Sequence, residues 1–195
     1  MKPSEIKRRL FHIFSGFVFI TLIYFDLLTP IRMAAVIIAG IVLSLLGKKI
    51  RLPIIHWFLE QLDRPSDIKT LPGKGAIFYG CGVFLALSLF QKDIAMAGIA
   101  ILALGDAVSP LIGRYGALRD PFTSKKKFLE GTFAGALAGA IAASFFVAPL
   151  EAVLASAAAM IAEGVDLKLG VNQIDDNIIM PFVACTVIWI LRIVV

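Results

Sequence analysis

Seven apolar runs, at roughly residues 10–25, 33–47, 75–91, 94–112, 129–150, 151–165 and 177–194, divide this chain. In hydrocarbon no water meets the backbone N–H and C=O groups, so each crossing segment must bond to itself as a helix or close into a barrel. Period-two alternation does not extend over enough segments for a barrel. With 59% hydrophobic and 17% charged residues and a mean hydropathy of +0.89, the chain is more apolar than a soluble domain of 195 residues, which points to the bilayer as its solvent. The expectation is an all-α polytopic membrane helix bundle, about seven transmembrane helices in a single domain over residues 1–195. Several runs are short against the roughly 20 residues of a perpendicular crossing, and 33–47 and 151–165 are the weakest, equally suited to re-entrant segments. The first run has no small-residue cleavage site after it and is read as mature chain. Cys81 and Cys185 both fall in apolar runs and read as small buried packing residues.

The basic residues test the count. With the N-terminus inside, 16 of the 19 Lys and Arg residues fall in cytoplasmic segments, and only Arg32, Lys92 and Arg192 do not. Orientation by positive charge predicts this asymmetry. It supports seven crossings with a cytoplasmic N-terminus and an external C-terminus, since loss of one weak span would invert everything after it. The net charge of +5 matches an anionic inner leaflet and calls for no nucleic acid. Between the second and third runs, Ile54, Ile55, Trp57, Phe58 and Leu62 recur at near-helical spacing among Glu60, Gln61, Asp63 and Arg64, the pattern of an amphipathic helix in the interface.

The acids are distributed unevenly on this topology. Asp26, Asp93 and Glu151 lie in short external turns and read as solvated caps. Asp106, Glu130, Glu163, Asp175 and Asp176 lie at or near the cytoplasmic ends of four different runs, with Asn177 beside the last pair and His12 at the same end of the first run. Asp106 is about 9 Å inside its run at 1.5 Å per residue. Each acid alone reads as a helix end. Several together at one face read as a site, because an intramembrane carboxylate costs at least ~3 kcal/mol and usually faces a bundle interior or a wet cavity.

Beside them runs "GRYGALRDPFTSKKKFLEG", residues 113–131. Gly113 and Gly116 permit close backbone approach, and Arg114, Lys125, Lys126 and Lys127 supply positive charge. The plain alternative is an ordinary positive-inside loop. A divalent metal with a phosphate chain fits between such acids and cations, since Mg²⁺ takes one or two carboxylates together with phosphate oxygens, and basic side chains take the remaining charge. No P-loop, HExxH or GxSxG motif occurs. Gly131, Gly135 and Gly139 in "GTFAGALAG" form a small-xxx-small ridge suited to tight helix packing.

"GDAVSPLIGRYG", "KKKFLEGTFAG", the later Glu163 and "IDDNIIMP" together resemble the polyprenol kinase family of membrane enzymes, which includes dolichol, phytol and CTP-dependent diacylglycerol kinases. The opening "EIKRRLFHIFSG" is similar to that family's start, with Arg9 where Lys is common, and Pro110 and Phe128 depart from its pattern. The resemblance implies transfer of the γ-phosphate of a nucleoside triphosphate, typically CTP, to a lipid alcohol at the cytoplasmic face. Carried onto this chain, it implies Asp106, Asp175 and Asp176 as ligands of Mg²⁺ or another divalent cation. Gly113, Arg114, Gly116, Lys125, Lys126, Lys127 and Asn177 would hold nucleotide and phosphates, Glu130 or Glu163 would serve the acceptor hydroxyl as base or orienter, and His12 would stand with them among the catalytic residues. A lipid-phosphate cytidylyltransferase making a CDP-lipid has nearly the same needs. A small transporter is the alternative of another class, although transporter sites favour the bilayer midplane.

Overall fold

The computed structural model describes residues 3–49, 59, 61, 63, 67, 68, 71–119, 127–165, 168, 169 and 172–194. Among them run seven long helices: α1 (Pro3–Tyr24), α2 (Pro30–Lys49), α3 (Lys74–Leu89), α4 (Lys92–Gly113), α5 (Leu129–Ala143), α6 (Pro149–Gly164) and α7 (Asp176–Val194). A two-residue antiparallel pair, β1 (Lys168–Leu169) with β2 (Asn172–Gln173), precedes α7. The expected interfacial helix at 54–64 lies for the most part outside the described residues.

Each apolar run holds one helix, but the ends shift. The first starts at Pro3, because the polar stretch through Arg9 continues the helix beyond its apolar part. The run 129–150 is broken: α5 stops at Ala143, and Pro149 restarts the chain in the first turn of α6, where its missing N–H costs nothing. Three helical segments are long and apolar enough to cross a bilayer, Pro30–Gly47, Lys92–Gly113 and Asp176–Val194, while Lys74–Leu89 and Leu129–Ala143 are apolar but shorter.

Helix α4 is the axis of the bundle, packed against α1, α5 and α7 and touching α3 and α6. Its buried residues include Ala95, Ala97, Gly98, Ala100, Ala103, Gly105 and Ala107, small side chains that let neighbouring backbones close in. The glycine ridge of α5 meets it: a Cβ on Gly135 would stand 2.8 Å from the Gly105 carbonyl oxygen, and one on Gly131 only 2.6 Å from that of Ser109 and 2.7 Å from Gly113 Cα. These obstacles are backbone and cannot rotate away. Gly131→Ala is therefore expected to lower stability by about 1–3 kcal/mol. Gly47→Ala, with nothing within 4 Å of the new methyl, should not. Thermal unfolding of both variants in detergent decides this, and equal midpoints would reject the ridge as a packing determinant.

Large apolar side chains point outward instead, among them Phe14, Phe17, Ile31, Phe133, Phe145 and Ile193. So many large apolar side chains on the outer surface are what hydrocarbon tolerates and water does not. Both cysteines are free; Cys185 is buried and donates to the Ile94 carbonyl at 3.4 Å.

At the end of the bundle where α3 stops and α4 begins, the expected solvated caps are ion-paired. Lys92 bonds Asp26 at 2.6 Å, and Arg192 bridges Asp93 at 2.7 Å and Glu151 at 3.0 Å, tying α4, α6 and α7 together. Arg32 donates to the Leu27 carbonyl at 2.7 Å. These are the three basic residues that break the charge asymmetry, and each is bound to a local acceptor.

Candidate functional site

At the opposite end of the bundle, a cavity of about 670 Å³ opens among α1, α2, α3, α4, α6 and α7. Asp106, His12, Lys127, Glu163, Asp175, Asp176 and Asn177 all line it, so residues spread over most of the chain meet in one place.

The centre is Asp106. Pro110 lies four residues on in α4 and has no N–H, so the Asp106 carbonyl lacks its helical donor. Arg9 of α1 supplies the replacement: its Nη1 donates to that carbonyl at 2.8 Å and also pairs with the Asp106 carboxylate. One guanidinium thus satisfies a main-chain oxygen released by a proline and an acid set inside an apolar run. His12, one turn further along α1, brings Nε2 to 3.6 Å from the same carboxylate oxygen, Oδ2. Its ring is held edge-on to Tyr79 of α3 at 4.4 Å between centroids and bonds to the backbone at Leu102. Arg8 and Lys127 add further positive charge around Asp106.

A second pair stands opposite. Lys127, just before α5, makes an ion pair with Glu163, which is 4% exposed near the end of α6. Asp175 caps α7: its Oδ1 accepts from Asn177 N–H at 3.1 Å and from Asn177 Nδ2 at 2.7 Å. A carboxylate at that helix end also meets the positive end of the helix dipole. Asp63 and Lys74 complete the rim, and Asp63 accepts from Gly73 N–H at 2.6 Å. Burial holds the Asp63 carboxyl above the usual range, against the opposing pull of that N–H.

Other expected residues lie elsewhere. Glu130 turns away from the cavity and accepts from Ala117 N–H at 2.8 Å and Leu118 N–H at 3.1 Å, clamping the loop that follows α4. Arg114 is exposed and lies over the Tyr115 ring at 4.3 Å, bonding its hydroxyl. Gly113 serves the α4–α5 crossing, and a Cβ on Gly116 would meet Phe128 and the Glu130 carboxylate. None of these four lines the cavity. Lys125 and Lys126 lie outside the described residues.

Arg8, Arg9, Asp63, Lys74 and Tyr79 line the cavity without having been among the expected site residues. Arg9 had a signal, since it shares a helix face with His12 at a spacing of three. Tyr79 had none, being one aromatic in an apolar run. Among the described residues no three His, Cys, Asp or Glu side chains are grouped as a metal cage. The donor set nevertheless suits a hard cation that arrives with phosphate: carboxylates on α4 and at the start of α7 face one space, and Mg²⁺ needs only one or two of them.

No family model and no solved structure matches the chain. Two proteins are similar to it in sequence. An uncharacterized protein of Methanocaldococcus jannaschii is 29% identical over 186 residues, 94% of this chain and 92% of that protein. CTP-dependent diacylglycerol kinase 1 of Eremothecium gossypii is 31% identical over 153 residues, 73% of this chain; the match spans 46% of that kinase, under half its length.

Proposed function

We propose that this chain is an integral membrane lipid kinase of the polyprenol kinase type, transferring the γ-phosphate of CTP to a lipid alcohol at the cytoplasmic face. The observation that carries the reading is a cavity in which a charged cluster from α1, α4, α6 and α7 continues into an apolar wall made by α1, α2 and α3. A water-soluble nucleotide and a membrane-bound alcohol can meet only at such a boundary. The similarity to a CTP-dependent diacylglycerol kinase points the same way and is the reason for naming CTP. Seven crossings, with the N-terminus and the cavity mouth on the cytoplasmic side, complete the proposal.

Phosphoryl transfer asks a protein for positioning and charge neutralisation more than for covalent chemistry. Lys127, Arg8 and Lys74 would bind phosphate oxygens at the mouth. Asp106, with Arg9 and His12 directed at its Oδ2, would hold a divalent cation together with Asp175 or Asp176. Mg²⁺ bound there would neutralise phosphate charge as it shifts toward the leaving diphosphate. Glu163 would accept the proton of the lipid hydroxyl, with Lys127 holding its carboxylate in place; Glu130, committed to the loop backbone, would support the site from outside. His12 would orient Asp106.

Purified protein given CTP, Mg²⁺ and a panel of diacylglycerol, phytol and a polyprenol should move label from the γ-phosphate to one lipid alcohol. Cytidine label on a lipid phosphate would replace this reading with a cytidylyltransferase. Solute flux across vesicles without nucleotide turnover would replace it with a transporter.

A further inference from the structure

The apolar part of the cavity is a slot between α1 and α2, which among the described residues pack on other helices rather than on each other. Phe11, Ser15 and Phe19 lie at spacings of four along α1, and Val36, Ile37 and Gly40 share one face of α2. Helix α1 is packed on α4, and α2 is packed on α3, so the two walls of the slot belong to different halves of the bundle. The deep end is closed. The Phe19 ring stacks on Tyr79 at 5.6 Å, and Met33, 1% exposed, fills the space beside Gly80. From Phe11 to Phe19 the helix axis advances about 12 Å, against about 15 Å for half of a 30 Å hydrocarbon core. Phe14, next to the lining face of α1, is apolar and exposed.

From this geometry we infer that the slot between α1 and α2 is a lateral portal for a lipid alcohol. The hydroxyl stands among the charged groups at the mouth, the head-proximal part of the tail lies in the slot, and the rest leaves sideways into the bilayer. The occupant is amphiphilic because the slot is continuous with a mouth that carries Arg9, Lys74, Lys127 and Asp106. A tail longer than the slot has no way down past Phe19 and Met33. The protein therefore reads the head and the first part of the chain and is indifferent to what lies beyond. This rests on the lipid-kinase reading for the identity of the occupant, but binding can be tested without turnover.

The test is photolabelling in nanodiscs with diacylglycerol and prenol probes that carry a diazirine either near the head or at the chain end. Head-proximal probes of one lipid class should label Ser15, Val36 or Ile37. The matching chain-end probes should label outward residues such as Phe14. Excess unlabelled lipid alcohol should compete at least tenfold better than phosphatidylcholine. Gly40→Phe, which fills the slot, should cut head-proximal labelling at least tenfold, and Gly47→Phe on the same helix should leave it unchanged. Slot labelling with no phosphate transfer to any lipid would keep the portal and remove the kinase. Transfer at the parent rate in Gly40→Phe, no slot labelling by either class, equal competition by phosphatidylcholine, or chain-end labelling around Met33 would each overturn the portal.

Discussion

Asp106→Asn is expected to lower CTP-dependent lipid phosphorylation at least a thousandfold, about 4 kcal/mol of transition-state stabilisation. The amide keeps the shape and can still accept from Arg9, but it loses the charge that a divalent cation and the Arg9 guanidinium both require. Stability should fall as well. The two side chains are 17% and 16% exposed, and removing one partner of a fully buried pair costs about 3–5 kcal/mol, so this partly wet pair should lose less. The two effects separate in a double variant. Arg9→Gln with Asp106→Asn removes both charges and should recover much of the thermal midpoint without recovering turnover. Recovery of turnover in the double variant would make Asp106 a structural acid that serves only to pair Arg9.

Lys127→Arg is expected to lower turnover at least tenfold, about 1.4 kcal/mol, mainly through a raised KM for CTP. Charge and membrane orientation are preserved by this change. What differs is shape: a planar guanidinium cannot take the place of a compact ammonium that must meet both Glu163 and a phosphate. Glu163→Gln should act on the other substrate. It removes a proton acceptor, so kcat should fall at least a hundredfold, about 2.7 kcal/mol, while KM for CTP changes little. Steady-state kinetics over CTP concentration for both variants would distinguish the roles. A topology determinant would give Lys127→Arg the kinetics of the parent, and the phosphate role would then be abandoned.

The seven helices were legible because their cause is local. An apolar run in hydrocarbon must bond its own backbone, whatever stands beside it, and the chain carries that instruction within each run. The gathering of acids and cations at one end was legible for a similar reason, since it follows from where charges sit along each run. The small-residue pattern of "GTFAGALAG" likewise announced a close crossing, and α5 makes it against α4.

Pairing was not legible, because it depends on which helix faces meet. Pro110 leaves the Asp106 carbonyl without a donor, and that loss can be read from the sequence; that the donor is Arg9, 97 residues away, cannot. Arg114 and Gly116 were expected beside phosphates and Glu130 beside the acceptor hydroxyl, yet the loop after α4 folds back on the start of α5. Its backbone N–H groups then take the Glu130 carboxylate, and Arg114 is left stacked on its own neighbour. Spacing placed these side chains near the cavity end of the bundle. For Arg114 and Gly116 the path of the loop decided which way they face; for Glu130 it was the rotation of α5, which the close approach of its glycines to α4 sets.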